Sequence, residues 1–519
     1  MDAISTAGKP RTAWKGAALL SLACMVVVMD VTVLQLAVPR LTAALSPTAS
    51  QLLWIVDAYA FLIAGSMILM GTVGDRIGRK KLLILGSGAF AVASLMAAFS
   101  TSAVQLILAR AVLGIAGATI APSTLALIRH MFQEKTSLTR AIALWGTSFS
   151  AGAVLGPLVG GLLLQRFWWG SVFLINVPIM ILVVTLGPGL LAESRDPRPG
   201  RIDLASVVLW LAAALLAVYG LKRIAQDGIG IVAGALLAAG LLLGVLFFRR
   251  QPRVGYPLID VRLFRSRSFA VAMGCALLGS VTMFTVSFFL AQYLQLVLAL
   301  SPRSAGLWLL PGPIAVTVGN LLSPALARSL TPRRVVGAGF ALVAGGAVLL
   351  ALGARSGSLL QLAGAWAVMC FGIGPTFPLL TGAVVGAVAP ERAGAAAALS
   401  QMSNELGGAL GISLLGSLSI AVYRLTLAVP PGVPADAVGA ARNTLASAEA
   451  AARHLAGAAG DALVASARSA FTTAFLAVIV TCAVLTLLAA FAAYRTLHYT
   501  EAVPGRQAEP GRTRLTAGG

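Results

Sequence analysis

The chain consists mainly of apolar runs of about twenty residues, separated by short segments rich in charge, glycine and proline. A helix needs about 20 apolar residues to cross roughly 30 Å of hydrocarbon. Inside lipid every backbone polar group must be satisfied within the protein, which continuous helices achieve. With 58% hydrophobic and only 11% charged residues among 519, the chain is predicted to be an all-α membrane protein.

Fourteen such runs divide the chain into six, two and six spans. The predicted spans are 16–39, 50–72, 82–100, 104–127, 141–164, 171–191, 204–222, 229–248, 268–299, 304–325, 333–353, 358–388, 393–423 and 470–494. Twelve spans would leave 202–248 outside the bilayer, but its two runs are too apolar for that. The predicted domains are two six-helix bundles (1–200 and 251–500), two inserted helices (201–250) and a tail (501–519). The second bundle contains a long external loop at 425–469, in which we expect helices at 435–456 and 459–469.

The distribution of charge predicts the orientation of the chain in the membrane. The net charge of +21 is carried by short clusters between apolar runs and not by a continuous basic face, which argues against nucleic acid as a partner. The loops on the side of the termini hold 27 Lys and Arg, against 10 on the other side. By the positive-inside rule both termini should be cytoplasmic. We expect no removed signal peptide.

Catalytic and metal-binding groups are scarce. The four cysteines all lie inside apolar runs without CxxC spacing, which favours packing over a disulfide or a metal site. The three histidines lie in predicted loops or tails, and no nucleophile has a base near it in sequence. We therefore expect no enzyme activity, no metal and no cofactor.

The segment GTVGDRIGRKK follows the second span and carries the strongest motif. It matches a pattern of the major facilitator superfamily at Gly71, Asp75, Arg76, Gly78, Arg79 and Lys80. The glycines allow a tight turn, and the acid and bases can exchange ion pairs as a cytoplasmic gate opens. A positively charged membrane anchor would explain the bases but not Asp75 or the glycine spacing. A weaker copy aligns 74–86 with 327–339, which indicates a repeat of two halves.

The fifth span contains GAVLGPLVGG, which resembles the motif of the antiporter members of that superfamily. The matching residues are Gly152, Gly156, Pro157, Gly160 and Gly161. Small residues four apart let two helices approach closely, and the proline bends the helix. A packing face without a transport role is the alternative interpretation.

The first span contains MDVTVLQLAVP, which resembles a motif of the fourteen-helix drug:proton antiporters in Asp30, Thr32, Ala37 and Pro39. WIVDAY in the second span and NELGGALG in the thirteenth extend the resemblance to exporters of the QacA type. The resemblance implies a major facilitator fold and a monomer in the bacterial cytoplasmic membrane. It also implies proton-driven efflux of lipophilic cationic drugs, dyes and antiseptics by alternating access.

The family places functional acids at positions that match Asp30, Asp57 and Glu405. These are also the only three acids that we assign to apolar spans, where a charge costs about 2.5–3.5 kcal/mol at the helix centre. Arg110 is the only base that we place inside a span and not at its end. It resembles a fourth-helix motif with Leu113 in place of glutamine. Three roles are open for it: it sets the pKa of a nearby acid, it relays a proton, or it forms a structural ion pair.

Aromatic residues near these acids could stack on a flat cation. They are Trp54, Tyr59, Trp145, Phe149, Phe284, Phe288 and Trp308. Because such residues more often pack or face lipid, we expect about half to line the cavity. Some relatives that handle dications carry a further acid in the tenth span, and this chain has only Asn320 there. Whether the chain exports dications therefore stays open at the level of sequence.

Two alternatives remain open at the level of sequence. Within the transport class, the protein could export a single antibiotic or metabolite for self-resistance. Outside it, the protein could be a membrane sensor or a lipid-modifying enzyme that does not transport.

Overall fold

The computed structural model describes residues 10–195, 203–228, 230–255, 261–388, 393–455 and 458–497, and these residues are helical with short connections. Within them, fourteen helical segments are long and apolar enough to cross a membrane. The predicted all-α class and the fourteen spans are therefore confirmed. The predicted tail, 501–519, lies outside the described residues.

The helices follow the predicted order of six, two and six spans. The first half contains α1 (Pro10–Leu45), α2 (Ala49–Ile77), α3 (Arg79–Ala98), α4 (Ala103–Gly117), α5 (Ile120–Met131), α6 (Lys135–Arg166), α7 (Ser171–Leu174) and α8 (Asn176–Leu190). The inserted pair is α9 (Leu204–Asp227) and α10 (Ile231–Arg250). The second half contains α11 (Arg267–Gln292), α12 (Pro302–Leu309), α13 (Pro311–Ser329), α14 (Pro332–Ser356), α15 (Leu359–Ile373), α16 (Thr376–Gly386), α17 (Ala393–Thr426), α18 (Ala435–Asn443), α19 (Leu445–Ala452) and α20 (Ala458–Thr496).

The two halves repeat the same packing. In the first half α1 packs on α6, α2 on α4, and α3 on α8. In the second half the equivalent pairs are α11 with α17, α13 with α15, and α14 with α20. The two aligned segments, 74–86 and 327–339, connect equivalent helices of the two halves, α2 to α3 and α13 to α14.

Several helices are longer than the apolar runs predict. Helix α1 continues through Pro39, and α6 continues through Pro157; neighbouring helices make such prolines tolerable in membrane spans. In the long loop, the helix expected at 459–469 is the first part of α20, which runs on into the last span. The reason is local, because no proline or glycine interrupts the chain between Gly460 and the end of α20.

Two seams join the halves, one between α2 and α17 and the other between α6 and α12. Helix α9 packs against both helices of the first seam, whereas α10 packs on α9. The base of this inserted pair is held by Asp203, which caps α9 and accepts a hydrogen bond from Arg250 Nη2 at 3.0 Å. Burial opposes ionisation of Asp203, but hydrogen bonds from Arg250 and Ser206 outweigh burial and lower its pKa.

Candidate functional site

Asp30 lies in a buried ion pair in the centre of the first half. Its Oδ2 accepts a hydrogen bond from Arg110 Nη1, and both side chains are 1% exposed. Asn176 Nδ2 donates to Asp30 Oδ1 at 2.8 Å, and Arg110 Nε donates to the Ile55 carbonyl at 3.2 Å. The guanidinium also lies 4.3 Å from the ring centre of Tyr59. Both carboxylate oxygens are therefore engaged, as a buried charge requires.

Sequence reasoning missed Asn176, although it is the one amide in the predicted sixth span. Besides Asp30, its Nδ2 also lies 3.2 Å from Ser94 Oγ on α3. With Arg110 on α4 and Ile55 on α2, the cluster ties together α1, α2, α3, α4 and α8. The Asp30 site is therefore also a structural centre of the first half.

Asp57 lies at the seam between α2 and α17. Lys222 Nζ of α9 is 2.6 Å from Asp57 Oδ2, and the two side chains are 1% and 0% exposed. Ser413 Oγ of α17 donates a hydrogen bond to the same oxygen. The Lys222 ammonium also lies 4.0 Å from the ring centre of Trp54.

The prediction that Arg110 is the only base in a span is therefore wrong. Lys222 is buried in the span Leu204–Ile224. Its position beside Arg223, at the end of an apolar run, is typical of an interfacial anchor, so no feature of the sequence distinguishes it from one. It is buried because α9 docks into the seam and brings it to Asp57.

Glu405, the third acid, lies half-buried on α17. Gln401 Nε2 donates to its Oε1 at 3.2 Å, and it has no ion-pair partner in the part of the chain that the structure describes. Two of the three predicted acids thus have a buried counter-ion, and one does not.

A cavity of about 240 Å³ lies between the two halves. Its walls are mainly apolar, with a few polar groups such as Thr32 and Thr317. Gln35 and Ser287, from opposite halves, also line it, and Ser287 Oγ donates to Gln35 Oε1 at 2.6 Å. None of the three acids is among the described residues that line it. Such a cavity suits a lipophilic ligand.

Of the seven predicted aromatic residues, Phe284 lines this cavity, and Phe288 lines a smaller one towards the long loop. Trp308 is partly buried on α12. The structure adds Trp366 and Phe377 to the cavity wall. Neither has a sequence signal, because each lies in an apolar run with no acid near it.

The other four aromatic residues make contacts inside the first half or with α9. Trp54 and Tyr59 stack on Lys222 and Arg110, as described above. Trp145 Nε1 donates to Cys24 Sγ at 3.1 Å, and it also contacts Phe149 edge to face with ring centres 4.8 Å apart. These contacts orient the rings within the protein.

The motif after the second span forms a tight, charged turn. Asp75 Oδ1 accepts hydrogen bonds from Arg79 Nε and Nη2 at 2.9 and 2.6 Å. Gly78 has φ of 108°, which only glycine adopts readily. A Cβ there would lie 2.5 Å from the carboxyl carbon of Glu193. Glu193 Oε1 also accepts a hydrogen bond from Lys80 N at 3.0 Å. Sequence reasoning missed this acid, which directly follows the sixth span.

The same motif also borders a small cavity. Gly71, Asp75 and Arg79 border a small cavity of about 90 Å³ that also touches Ser123 of α5. Arg76 is exposed. The motif and α5 therefore share the wall of one small cavity.

The glycines of the fifth span pack α6 against two different helices. A Cβ on Gly152 would lie 2.6 Å from the Met25 carbonyl oxygen of α1, and one on Gly156 would overlap Thr32. Gly160 likewise faces α1 at Val33. A Cβ on Gly161 would lie 2.9 Å from the Pro302 carbonyl oxygen of α12, and the Pro157 carbonyl meets Gly306 of the same helix. Close packing here joins α6 both to its own half and to the other.

Comparisons with known proteins agree with this architecture. Residues 20–412 match the Major Facilitator Superfamily. The chain is 38% identical to the multidrug efflux pump LfrA of Mycolicibacterium smegmatis, over 94% of this chain and 96% of LfrA. It is 36% identical to the methyl viologen resistance protein SmvA of Salmonella typhimurium, over 88% and 93% of the two chains.

Among solved structures, the fold resembles a bacterial homologue of the human lysosomal transporter Spinster in an inward-facing conformation. The TM-score is 0.68 at 17% identity, over 95% of this chain and 100% of that one. At this identity the likeness concerns the fold alone. Together with the matched family and the fourteen spans, it leads to one conclusion: the chain belongs to the major facilitator superfamily and is a multi-pass membrane transporter.

Proposed function

We propose that the protein exports lipophilic cationic drugs, dyes and antiseptics from a bacterial cytoplasm in exchange for protons. Both termini then lie in the cytoplasm. The observation that carries this proposal is Glu405, a half-buried membrane carboxylate without a basic partner in the described residues. The similarity to LfrA and SmvA, both named for drug efflux or resistance, supports the substrate class.

An ionised carboxylate at this depth is unfavourable, and either a proton or a cation relieves it. Proton and drug therefore compete for the same charge, which couples their movements. Exchange of one proton for one monocation moves no net charge, so only the pH gradient drives it. A second proton would add about 2.3 kcal/mol per 100 mV of membrane potential.

The described conformation suits loading from the cytoplasm. The contacts between the halves include Gln35 with Ser287, Leu53 with Gly416 and Gly161 with Pro302, which lie towards the end of the bundle away from the termini. With cytoplasmic termini, this is an inward-facing arrangement. Alternating access would exchange these contacts for contacts on the cytoplasmic side.

Purified protein in vesicles with an imposed pH gradient tests the proposal, with ethidium as the lipophilic monocation. The wild type should move ethidium against its gradient and move protons when ethidium is added. Glu405→Gln should abolish this coupling, whereas the matched change Glu134→Gln, at an exposed position before α6, should not.

Two outcomes would replace the proposal. If cells expressing the protein resist one antibiotic only and vesicles move no cation of a varied panel, the protein is a dedicated exporter. If no solute moves under any gradient while ethidium still binds, it is a sensor.

A further inference from the structure

The Lys222 ammonium occupies a site at the α2–α17 seam that has the features of a cation-binding site. It has the carboxylate of Asp57 at 2.6 Å and the face of Trp54 at 4.0 Å. Carboxylates and aromatic faces are the groups that bind ammonium ions. The cation that fills this site is the side chain of Lys222.

We infer that Lys222 is a built-in counter-ion that keeps the Asp57 carboxylate ionised in this conformation. The carboxylate then takes up a proton only after α9 or α17 moves away from α2. Lys222 is thus a positioning residue for the exchange cycle. The inference rests on the proposed function for its place in transport, but the ion pair itself does not depend on it.

The three helices that build the site belong to different parts of the protein. Asp57 comes from the first half, Ser413 from the second, and Lys222 from the inserted pair. The same three helices meet again in an apolar cluster of Phe61, Val218 and Ala409. A rotation of one half against the other therefore moves Asp57 relative to Ser413.

The charges around Asp57 are few. Lys222 is the charged group from α9, and α17 contributes the neutral hydroxyl of Ser413. Glu405, the nearest acid on α17 in sequence, lies eight residues before Ser413, about 12 Å along the helix. Asp57 Oδ1 has no hydrogen-bond partner within the described residues. This buried oxygen is where a proton can add once Lys222 has left.

Carbodiimide labelling tests the inference without any transport step, because dicyclohexylcarbodiimide reacts with protonated carboxyl groups in apolar surroundings. The full-length protein in membranes would be labelled and each acid quantified by mass spectrometry. In the wild type Asp57 should be labelled far less than Glu405. Lys222→Met, which keeps the length of the side chain without its charge, should raise labelling at Asp57 at least tenfold. Lys222→Arg should behave as the wild type.

Glu405 serves as the internal reference, since its labelling should be the same in all three proteins. Equal labelling of Asp57 in the wild type and in Lys222→Met would overturn the inference. If Lys222→Met is too unstable to label, thermal unfolding decides. The double variant Asp57→Asn/Lys222→Met should then recover most of the lost thermal midpoint, and a double variant no more stable than Lys222→Met would also overturn it.

The labelling and the vesicle assay separate the two proposals. If the wild type shows no ethidium–proton exchange but labelling is as expected, the proposed function fails and the counter-ion role of Lys222 stands. Intact exchange with Asp57 labelled equally in the wild type and in Lys222→Met removes only the role of Lys222.

Discussion

The ion pair between Asp30 and Arg110 allows a quantitative test of whether a membrane-embedded acid serves structure, transport or both. Arg110→Met removes the positive charge and leaves a carboxylate that is 1% exposed, and among the described residues Asn176 is then its one hydrogen-bond donor. Removing one partner of a buried pair costs about 3–5 kcal/mol. Removing both charges, in Asp30→Asn/Arg110→Met, leaves neutral polar groups and should cost far less.

The number of residues in the folded unit determines how far this loss of stability shifts the thermal midpoint of unfolding. The cluster connects five helices of the first half, which spans Pro10–Leu190. For units of this length each kcal/mol moves the thermal midpoint by about 2–4 °C. Arg110→Met should therefore lower the midpoint on the order of 10 °C. Arg303→Met, at an exposed position on α12, is the control and should change it little.

A thiol-reactive fluorophore suits the unfolding measurement, because all four cysteines are buried and free. Each variant would also be assayed for ethidium export at several pH values. The double variant should fold like the wild type and fail to couple ethidium to protons.

Two results would refute this reasoning. An Arg110→Met protein as stable as the wild type would mean that the pair does not hold the first half together. A double variant that exports ethidium with unchanged pH dependence would mean that Asp30 has a structural role only.

Three further predictions concern packing, gating and topology. Gly152→Ala should destabilise the protein by about 1–3 kcal/mol through its contact with α1, whereas Gly146→Ala, on the same helix with no atom within 4 Å, should not; equal effects on thermal unfolding would contradict the packing argument. Asp75→Asn, which weakens the ion pair at the turn, should slow ethidium export more than equilibrium binding, and a variant that had lost binding as well would show that the turn is not a gate. A single cysteine at Gly230 should react with an impermeant thiol reagent from outside intact cells and one at Gly255 should not; the reverse pattern would overturn cytoplasmic termini.

The fold could be predicted from the sequence because lipid imposes a simple rule on length and polarity. Fourteen apolar runs became fourteen spans, including the inserted pair. The buried acids could be singled out for the same reason, since a charge in an apolar run is costly and rare. Their positions on the chain needed no knowledge of the packing.

The partners of those acids could not be predicted in the same way. Lys222 resembles an interfacial lysine until α9 docks beside Asp57. Glu193 resembles a loop residue until the chain brings it to the turn at Gly78. Both contacts join residues more than a hundred positions apart, and packing alone decides them.

The lining of the central cavity was equally hard to predict. Phe284, Trp366 and Phe377 face the cavity, while Phe491 and Leu487 face outwards at 60% and 53% exposure. An apolar side chain suits either environment, so composition does not separate them. Only the orientation of each helix does.

The placement of α9 makes the two sides of the transporter unequal towards the surrounding lipid. On one side, α9 covers α2 and α17, and α10 adds a further layer whose Leu241 and Leu242 are each 60% exposed. On the other side, α6 meets α12 and α13 without an added helix, and residues of these helices line the central cavity. A hydrophobic solute dissolved in the bilayer thus crosses fewer layers of protein at α6 and α13, which makes that side the shorter lateral route between membrane and cavity.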